Sequence, residues 1–227
     1  MAIAAAGRGW NVVVGYLRDD AAAADVQAAI ESAGRKAVLA KGNLANRDEC
    51  ATLADQCRDE VGRLDGFVHC AALGATAPAT RTKPNRWKLA WDTHVGAFVE
   101  LASLVRPLLR PGSGIVALSS LGAHLVMPGY ASIGAAKGAL EVLVRYLAVE
   151  LALDGIRVNG VRAGPVETDS LHSFPYYGAI EQECRRRPAG RIGQPDDVAR
   201  IVLFLLEPES EWIRGQMVVA DGGYSLY

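Results

Sequence analysis

The sequence predicts a single α/β domain spanning residues 1–227. Short apolar runs that read as buried strands alternate along the chain with longer stretches of helical spacing. Half of the residues are hydrophobic and 22% are charged, a balance that supplies one large core and leaves a soluble surface. No shift in composition marks a second domain.

Taken in order, Met1 to Gly9 reads as the tail of a helix stopped by Gly7 and Gly9, and WNVVVGY (10–16) as a strand. Residues 20–33, alanine-rich with apolar spacing, form a helix, and Lys36 to Lys41 a strand. Asp48 to Val61 is a helix ending at Gly62, with Cys50 and Cys57 on one face, followed by a strand from Gly66 to Cys70. Trp87 to Leu109 is expected as one long helix with Trp91, Val95, Phe98 and Leu101 or Ala102 on its core stripe. Ile115 to Leu118 reads as a buried strand that pauses at Ser119 and Ser120, crosses a loop containing Gly and Pro, and passes into another long helix. Arg157 to Val161 and Met217 to Ala220 read as strands, and Asp196 to Leu206 as the last helix. The helix after the loop is apolar at Leu140, Val144, Leu147 and Leu151, more than one sheet face is expected to cover. A homodimer or homotetramer packed through this helix is therefore expected.

A net charge of −1 argues against nucleic acid or an anionic membrane as the main partner. No stretch is long and apolar enough to span a bilayer, and Met1 to Gly7 is too short for a signal peptide. The four cysteines lack CxxC spacing and read as reduced thiols of a cytoplasmic protein, and the four dispersed histidines predict no metal site. Arg185 to Arg187 reads either as a solvated helix face or as a landing patch for an acidic carrier protein.

The chemistry is expected at Ser120, Tyr130 and Lys137. Tyr130 and Lys137 are seven apart, two helical turns, and Gly134 between them leaves that face open. A lysine ammonium beside a phenol is expected to pull its pKa from ~10 toward neutrality and make it a usable proton donor.

These residues, with GRLDGFVHCAA (62–72), RVNGVRAGPVETDSL (157–171), PAGRIGQPDDVARIVLFL (188–205) and IRGQMVVADGG (213–223), resemble the short-chain dehydrogenase/reductase family in order along the whole chain. The resemblance implies a Rossmann-type doubly wound parallel sheet. Most of that family places its tyrosine four before the lysine and thirteen after the serine, a position held here by Ile133. The Tyr-x6-Lys spacing resembles the enoyl-acyl-carrier-protein reductases, and SSLG, RYLAVEL, PAGR and IRGQ are most similar to their NADPH-dependent type III members. A turn's displacement, ~5 Å, suits a phenol that hydrogen-bonds a thioester carbonyl while hydride reaches the β-carbon. The alternative within the family is a ketone reductase or alcohol dehydrogenase.

Carried over residue by residue, the resemblance implies cofactor contacts from Arg18, Asn43, Ala71, Lys137, Pro165, Val166 and Thr168. Arg18 at the end of a strand favours a 2′-phosphate, hence NADPH over NADH. His94 stands where the family has a proton-relay asparagine, and its ordinary pKa of ~6.5 would let it relay protons, although a core histidine is the plainer reading. His69 and Cys70 replace two amide side chains. Residues 169–190, with Phe174, Pro175, Tyr176 and Tyr177, are expected as a mobile lid over an apolar acyl thioester, free or carrier-bound. The family's first strand and glycine-rich phosphate loop are expected to be missing, with weak or absent dinucleotide binding as the consequence. Three explanations stay open on sequence alone: Met1 is internal to a longer enzyme, the short chain is a cofactor-free lyase, cyclase or non-catalytic partner, or it is a remnant.

Overall fold

The computed structural model describes residues 1–73 and 76–227. In chain order the elements are α1 (Ala2–Gly7), β1 (Val12–Tyr16), α2 (Asp20–Ser32), β2 (Ala37–Lys41), α3 (Arg47–Val61) and β3 (Leu64–His69). They continue with α4 (Pro84–Trp91), α5 (Ala97–Val105), β4 (Leu109–Ser120), α6 (Ala131–Glu150) and β5 (Arg157–Ala163), then α7 (Asp169–His172), α8 (Tyr177–Arg186), α9 (Pro195–Leu206) and β6 (Met217–Ala220). All strand pairings are parallel and fall into two ladders, β1-β2 and β3-β4-β5-β6. No strand joins β1 to β3 among the described residues.

Burial follows that division. Ser113 to Ser119 of β4 and Arg157 to Val161 of β5 are buried throughout, because each strand has neighbours on both edges and helices on both faces. β1 and most of β3, paired along one edge only, remain half-buried. Alternate residues of β4 feed two cores. Ile115 and Ala117 pack with Phe98, Leu140, Val144 and Val158. Val116 and Leu118 pack with Val161, Val198, Val202 and Leu206. Trp10 and Ala5 join this second core, and Arg8 pairs with Glu207, which anchors the β1-β2 layer to α9.

Two expectations change. Leu140, Val144, Leu147 and Leu151 are buried within this chain, because α5 contributes Phe98 and Ala102 to the same cluster; they supply no argument for an oligomer. The long helix expected from Trp87 to Leu109 starts at Pro84 and ends at Val105, and a π turn at Asp92–Gly96 interrupts it. The extra residue of that turn rotates Trp91 off the core stripe to 52% exposure, while Val95, Phe98, Leu101 and Ala102 stay buried.

Several motif residues act as braces. The guanidinium of Arg157 is buried and donates to the carbonyls of Leu205, Leu206 and Glu207 at the end of α9. Asn159 donates to Ile213 O at 2.7 Å and accepts from Gln216 N at 3.0 Å, tying RVN to IRGQ. Gln194 and Asp197 form a capping box at the start of α9, and Arg191 pairs with Asp197.

Candidate active site

The C-terminal ends of β4 and β5 and the start of α6 converge on one place. Ser120 closes β4 and its hydroxyl accepts from Gly122 N at 3.2 Å, which turns the chain into the loop toward Tyr130. Tyr130 is the N-cap residue of α6 rather than a member of its first turn. Two glycines permit this packing: a Cβ on Gly122 would lie 2.4 Å from the Tyr130 ring, and one on Gly134 would lie 2.4 Å from Gly122 O. Ile133 is buried.

Burial raises the Tyr130 phenol above its ordinary pKa, and the nearby Ser120 side chain opposes the rise. Lys137 contributes no resolved effect on that phenol, so the expected pull toward neutrality is not found. Lys137 is itself buried, its Nζ donates to Leu118 O at 2.5 Å, and burial lowers its pKa to about 8, with nearby Cys70 opposing the fall. The arrangement thus offers a protonated phenol near a serine, with an ammonium fixed on the strand that ends in that serine.

His94 is fully buried in the π turn, its Nε2 lying 3.1 Å from Leu73 O. Burial, with the Lys137 charge second, lowers its pKa to about 3, so it is neutral at working pH and cannot relay protons by titrating. His69 at the end of β3 is lowered to about 3 by the same two causes. Among the described residues, His69 Nε2, Thr93 Oγ1 and His94 Nδ1 are buried without a protein partner, a polar spot where β3 meets the π turn.

The expected cofactor contacts fall on two sides of the cleft. Asn43 joins Gly15, Tyr16, Leu17, Ala72, Leu73 and Thr93 around a cavity of about 110 Å³ between the ends of β1, β2 and β3. Ala71 precedes that wall and is half-buried; Arg18 follows β1, exposed and without an ion pair among the described residues. Across the cleft, the Pro165 and Val166 turn is held by Gly193 N donating to Pro165 O and Glu167 N donating to Gly193 O. The Thr168 hydroxyl, at the cleft, caps α7 by accepting from Leu171 N.

Residues 169–190 fold as α7 and α8. Phe174, Tyr176 and Tyr177 pack against Leu171, Ile180, Cys184 and Ile192, and the Phe174 ring lies 6.0 Å from that of Tyr130. Arg185 to Arg187 pair with Glu181 and Glu183 of the same helix, which matches the solvated-face reading. Sequence reasoning missed Glu141, a buried carboxylate one turn beyond Lys137 bonded to Ser119 and Arg162. A charge inside an otherwise apolar run, Ala139 to Val144, was the available signal. Among the described residues no group of three or more His, Cys, Asp or Glu is placed to hold a metal, and no helix is long and apolar enough to cross a membrane.

Comparison with known proteins bears on this geometry. Residues 1–225 match the family model described as enoyl-(acyl carrier protein) reductase. The chain is 34% identical to a 1-cyclohexenylcarbonyl-CoA reductase of Streptomyces collinus, over 100% of this chain and 82% of that one. It is 32% identical to a 3-oxoacyl-[acyl-carrier-protein] reductase of Synechocystis, over 100% and 91%. Its fold superposes on the Bacillus cereus enoyl-acyl carrier protein reductase, solved with NADP+ and an indole naphthyridinone, with a TM-score of 0.92, 25% identity, and coverage of 100% and 91%. The chain therefore belongs to the short-chain dehydrogenase/reductase family, as a nicotinamide-dependent oxidoreductase of its enoyl-acyl-carrier-protein reductase-like group.

Proposed function

We propose that this protein reduces the carbon–carbon double bond of an α,β-unsaturated acyl thioester, with NADPH as the preferred donor. The observation that carries the reading is the placement of the proton donor. Tyr130, not residue 133, carries the phenol that Ser120 influences, seated against Gly122 at the start of α6, and Ile133 is a buried apolar residue. A phenol one turn earlier than the usual position suits a hydrogen bond to the thioester carbonyl, two atoms from the carbon that is reduced.

The cofactor fits the residues present at its two ends: the cavity edged by Asn43, with a Thr93 hydroxyl unpartnered among the described residues, and the turn from Pro165 to Thr168. Arg18, next to the cavity residue Leu17, supplies the cation that a 2′-phosphate requires. When bound, the nicotinamide supplies the hydride.

The chain's own residues do the rest. Tyr130, kept protonated by burial, donates a hydrogen bond to the carbonyl oxygen and stabilises the enolate that develops there. Ser120 orients the phenol through its hydroxyl. Lys137, cationic below about pH 8, places positive charge behind the pair. Phe174 and Tyr176 line an apolar approach for the acyl chain, and the Tyr176 hydroxyl is anchored on Pro128 O at 2.8 Å.

The test is NADPH oxidation, followed at its near-ultraviolet band, with a trans-2-enoyl-CoA and a 3-oxoacyl-CoA of equal length. Faster turnover of the enoyl substrate supports the proposal, and faster turnover of the ketone transfers it to carbonyl reduction. Absence of NADPH binding by calorimetry up to millimolar concentration would refute redox chemistry for this polypeptide.

A further inference from the structure

The segment ALEVLV (139–144) sets a carboxylate between two core residues, Leu140 and Val144, and Glu141 is only 3% exposed. A buried carboxylate persists only where its oxygens are satisfied. Oε1 accepts from Ser119 Oγ at 2.6 Å and from Arg162 Nε at 2.9 Å. Oε2 accepts from Arg162 Nη2 at 2.6 Å and lies 2.8 Å from His124 Nε2, which is itself 2.6 Å from Arg162 Nη2. Burial alone would raise this carboxyl, but the bonds from Arg162, Ser119 and His124 outweigh it and hold it below its ordinary range.

The partners come from three other segments, and each leads directly into the candidate site. Ser119 immediately precedes Ser120 at the end of β4. Arg162 immediately precedes Ala163, where β5 becomes the turn of Pro165 and Val166. His124 lies in the loop that runs from Ser120 to Tyr130, and Glu141 itself is one turn beyond Lys137 on α6. One carboxylate therefore joins every backbone segment that carries a proposed reacting or cofactor-contacting group on this side of the cleft.

We propose that Glu141 is a positioning residue. It acts through Ser119, Arg162 and His124 to set Ser120, and hence Tyr130, against the cofactor turn. The inference rests on the reductase reading for its kinetic test and stands apart from it in a spectroscopic one.

Glu141→Gln keeps the shape but removes the charge and turns one of the two oxygens that accept from Arg162 into a donor, and Ser119→Ala removes only the link to the strand that carries Ser120. With a trans-2-enoyl-CoA and NADPH, well below the melting transition, Glu141→Gln should lower kcat about tenfold or more. The KM values for thioester and cofactor should change little, and Ser119→Ala should give a smaller loss of the same kind. Independently of turnover, ultraviolet difference titration referenced to Tyr130→Phe should show the Tyr130 ionisation moving upward by about half a pH unit in Glu141→Gln, as Ser120 shifts away from the phenol and opposes its rise less.

Native kcat in a folded Glu141→Gln protein would overturn the proposal. So would a loss residing wholly in KM, or an unmoved Tyr130 titration. If Glu141→Gln does not fold, Ser119→Ala decides: native kcat together with a native Tyr130 titration refutes the proposal. An absence of any thioester reduction by the native protein would refute the reductase reading, and the Tyr130 titration would still test the positioning role.

Discussion

Replacing Lys137 by methionine separates what this residue costs the fold from what it gives the chemistry. Lys137 is 4% exposed, and burial takes its pKa from 10.5 to about 8. The unfolded chain therefore binds more protons than the folded one between about pH 8 and 10.5, so this group's contribution to stability rises with pH across that window. Below pH 8 the penalty is present in full. At about 1.4 kcal/mol per pH unit it amounts to ~3 kcal/mol, reduced in practice by the hydrogen bond to Leu118 O that methionine also removes. Urea unfolding of both proteins from pH 7 to 10.5 measures the difference directly. Relative to the native protein, Lys137→Met should be most favoured at pH 7, and that advantage should shrink steadily above pH 8. The variant should lose most of its NADPH-dependent turnover throughout. In the native enzyme, kcat should decline as pH rises through about 8, where the ammonium is lost. A stability difference that does not vary with pH would refute the depressed pKa, and undiminished turnover in the variant would remove Lys137 from the mechanism.

Tyr130→Phe keeps the ring that packs on Gly122 and removes the hydroxyl beside Ser120; circular dichroism should be unchanged while kcat/KM for an enoyl thioester falls about 10²-fold. Gly122→Ala puts a methyl 2.4 Å from the Tyr130 ring, so the phenol must move; thermal unfolding should show a loss of about 1–3 kcal/mol, with activity falling further than stability. His69 and His94, both lowered to about 3, bind more protons when unfolded. Stability should therefore fall as pH drops below about 6.5, by up to ~1.4 kcal/mol per unit for each, and His94→Asn should flatten that slope in acid titrations.

The parts of the fold legible in the sequence are those where a local pattern has one structural solution. Most apolar runs became parallel strands within a residue or two of their expected limits, although β4 begins at Leu109, six residues before the expected Ile115, and Gly62 ends α3 as read. Ser120 and Tyr130 were recognisable as a pair because their chemistry is unusual at a strand end followed by a helix. What escaped depends on three-dimensional surroundings. The π turn adds one residue to a helix without changing its hydrophobic content, so Trp91 was assigned to the core and lies on the surface. The covering of Leu140 and Val144 depends on α5 approaching α6, which no count of apolar residues shows. The protonation states of His94 and Tyr130 were misjudged for a common reason. Ordinary pKa values hold in water, and burial moved both toward their neutral forms.

The division of the sheet makes a last prediction possible. The proposed cofactor contacts lie on separate ladders, Asn43 beside the end of β2 and the turn from Pro165 to Thr168 beyond β5, and no hydrogen-bonded strand connects the two among the described residues. Contact between the layers runs through α1, Trp10 and the Arg8 pair with Glu207, and through α3, whose Cys50 packs with Ala97 and Leu101 of α5 while Arg47 pairs with Glu100. A dinucleotide that reaches both ends would be an additional tie between them, and binding stabilises whatever it holds together. Amides of Val12 to Tyr16 and Ala37 to Lys41, in a ladder of only two strands, should exchange faster than those of Ile115 to Leu118, buried between two strands, in the free protein. Saturating NADPH should slow exchange in β1 and β2 at least as much as in the turn after β5. Protection confined to residues 163–168 would show that the nicotinamide end binds alone. The cavity edged by Asn43 and Thr93, and with it the preference assigned to Arg18, would then have no part in cofactor recognition.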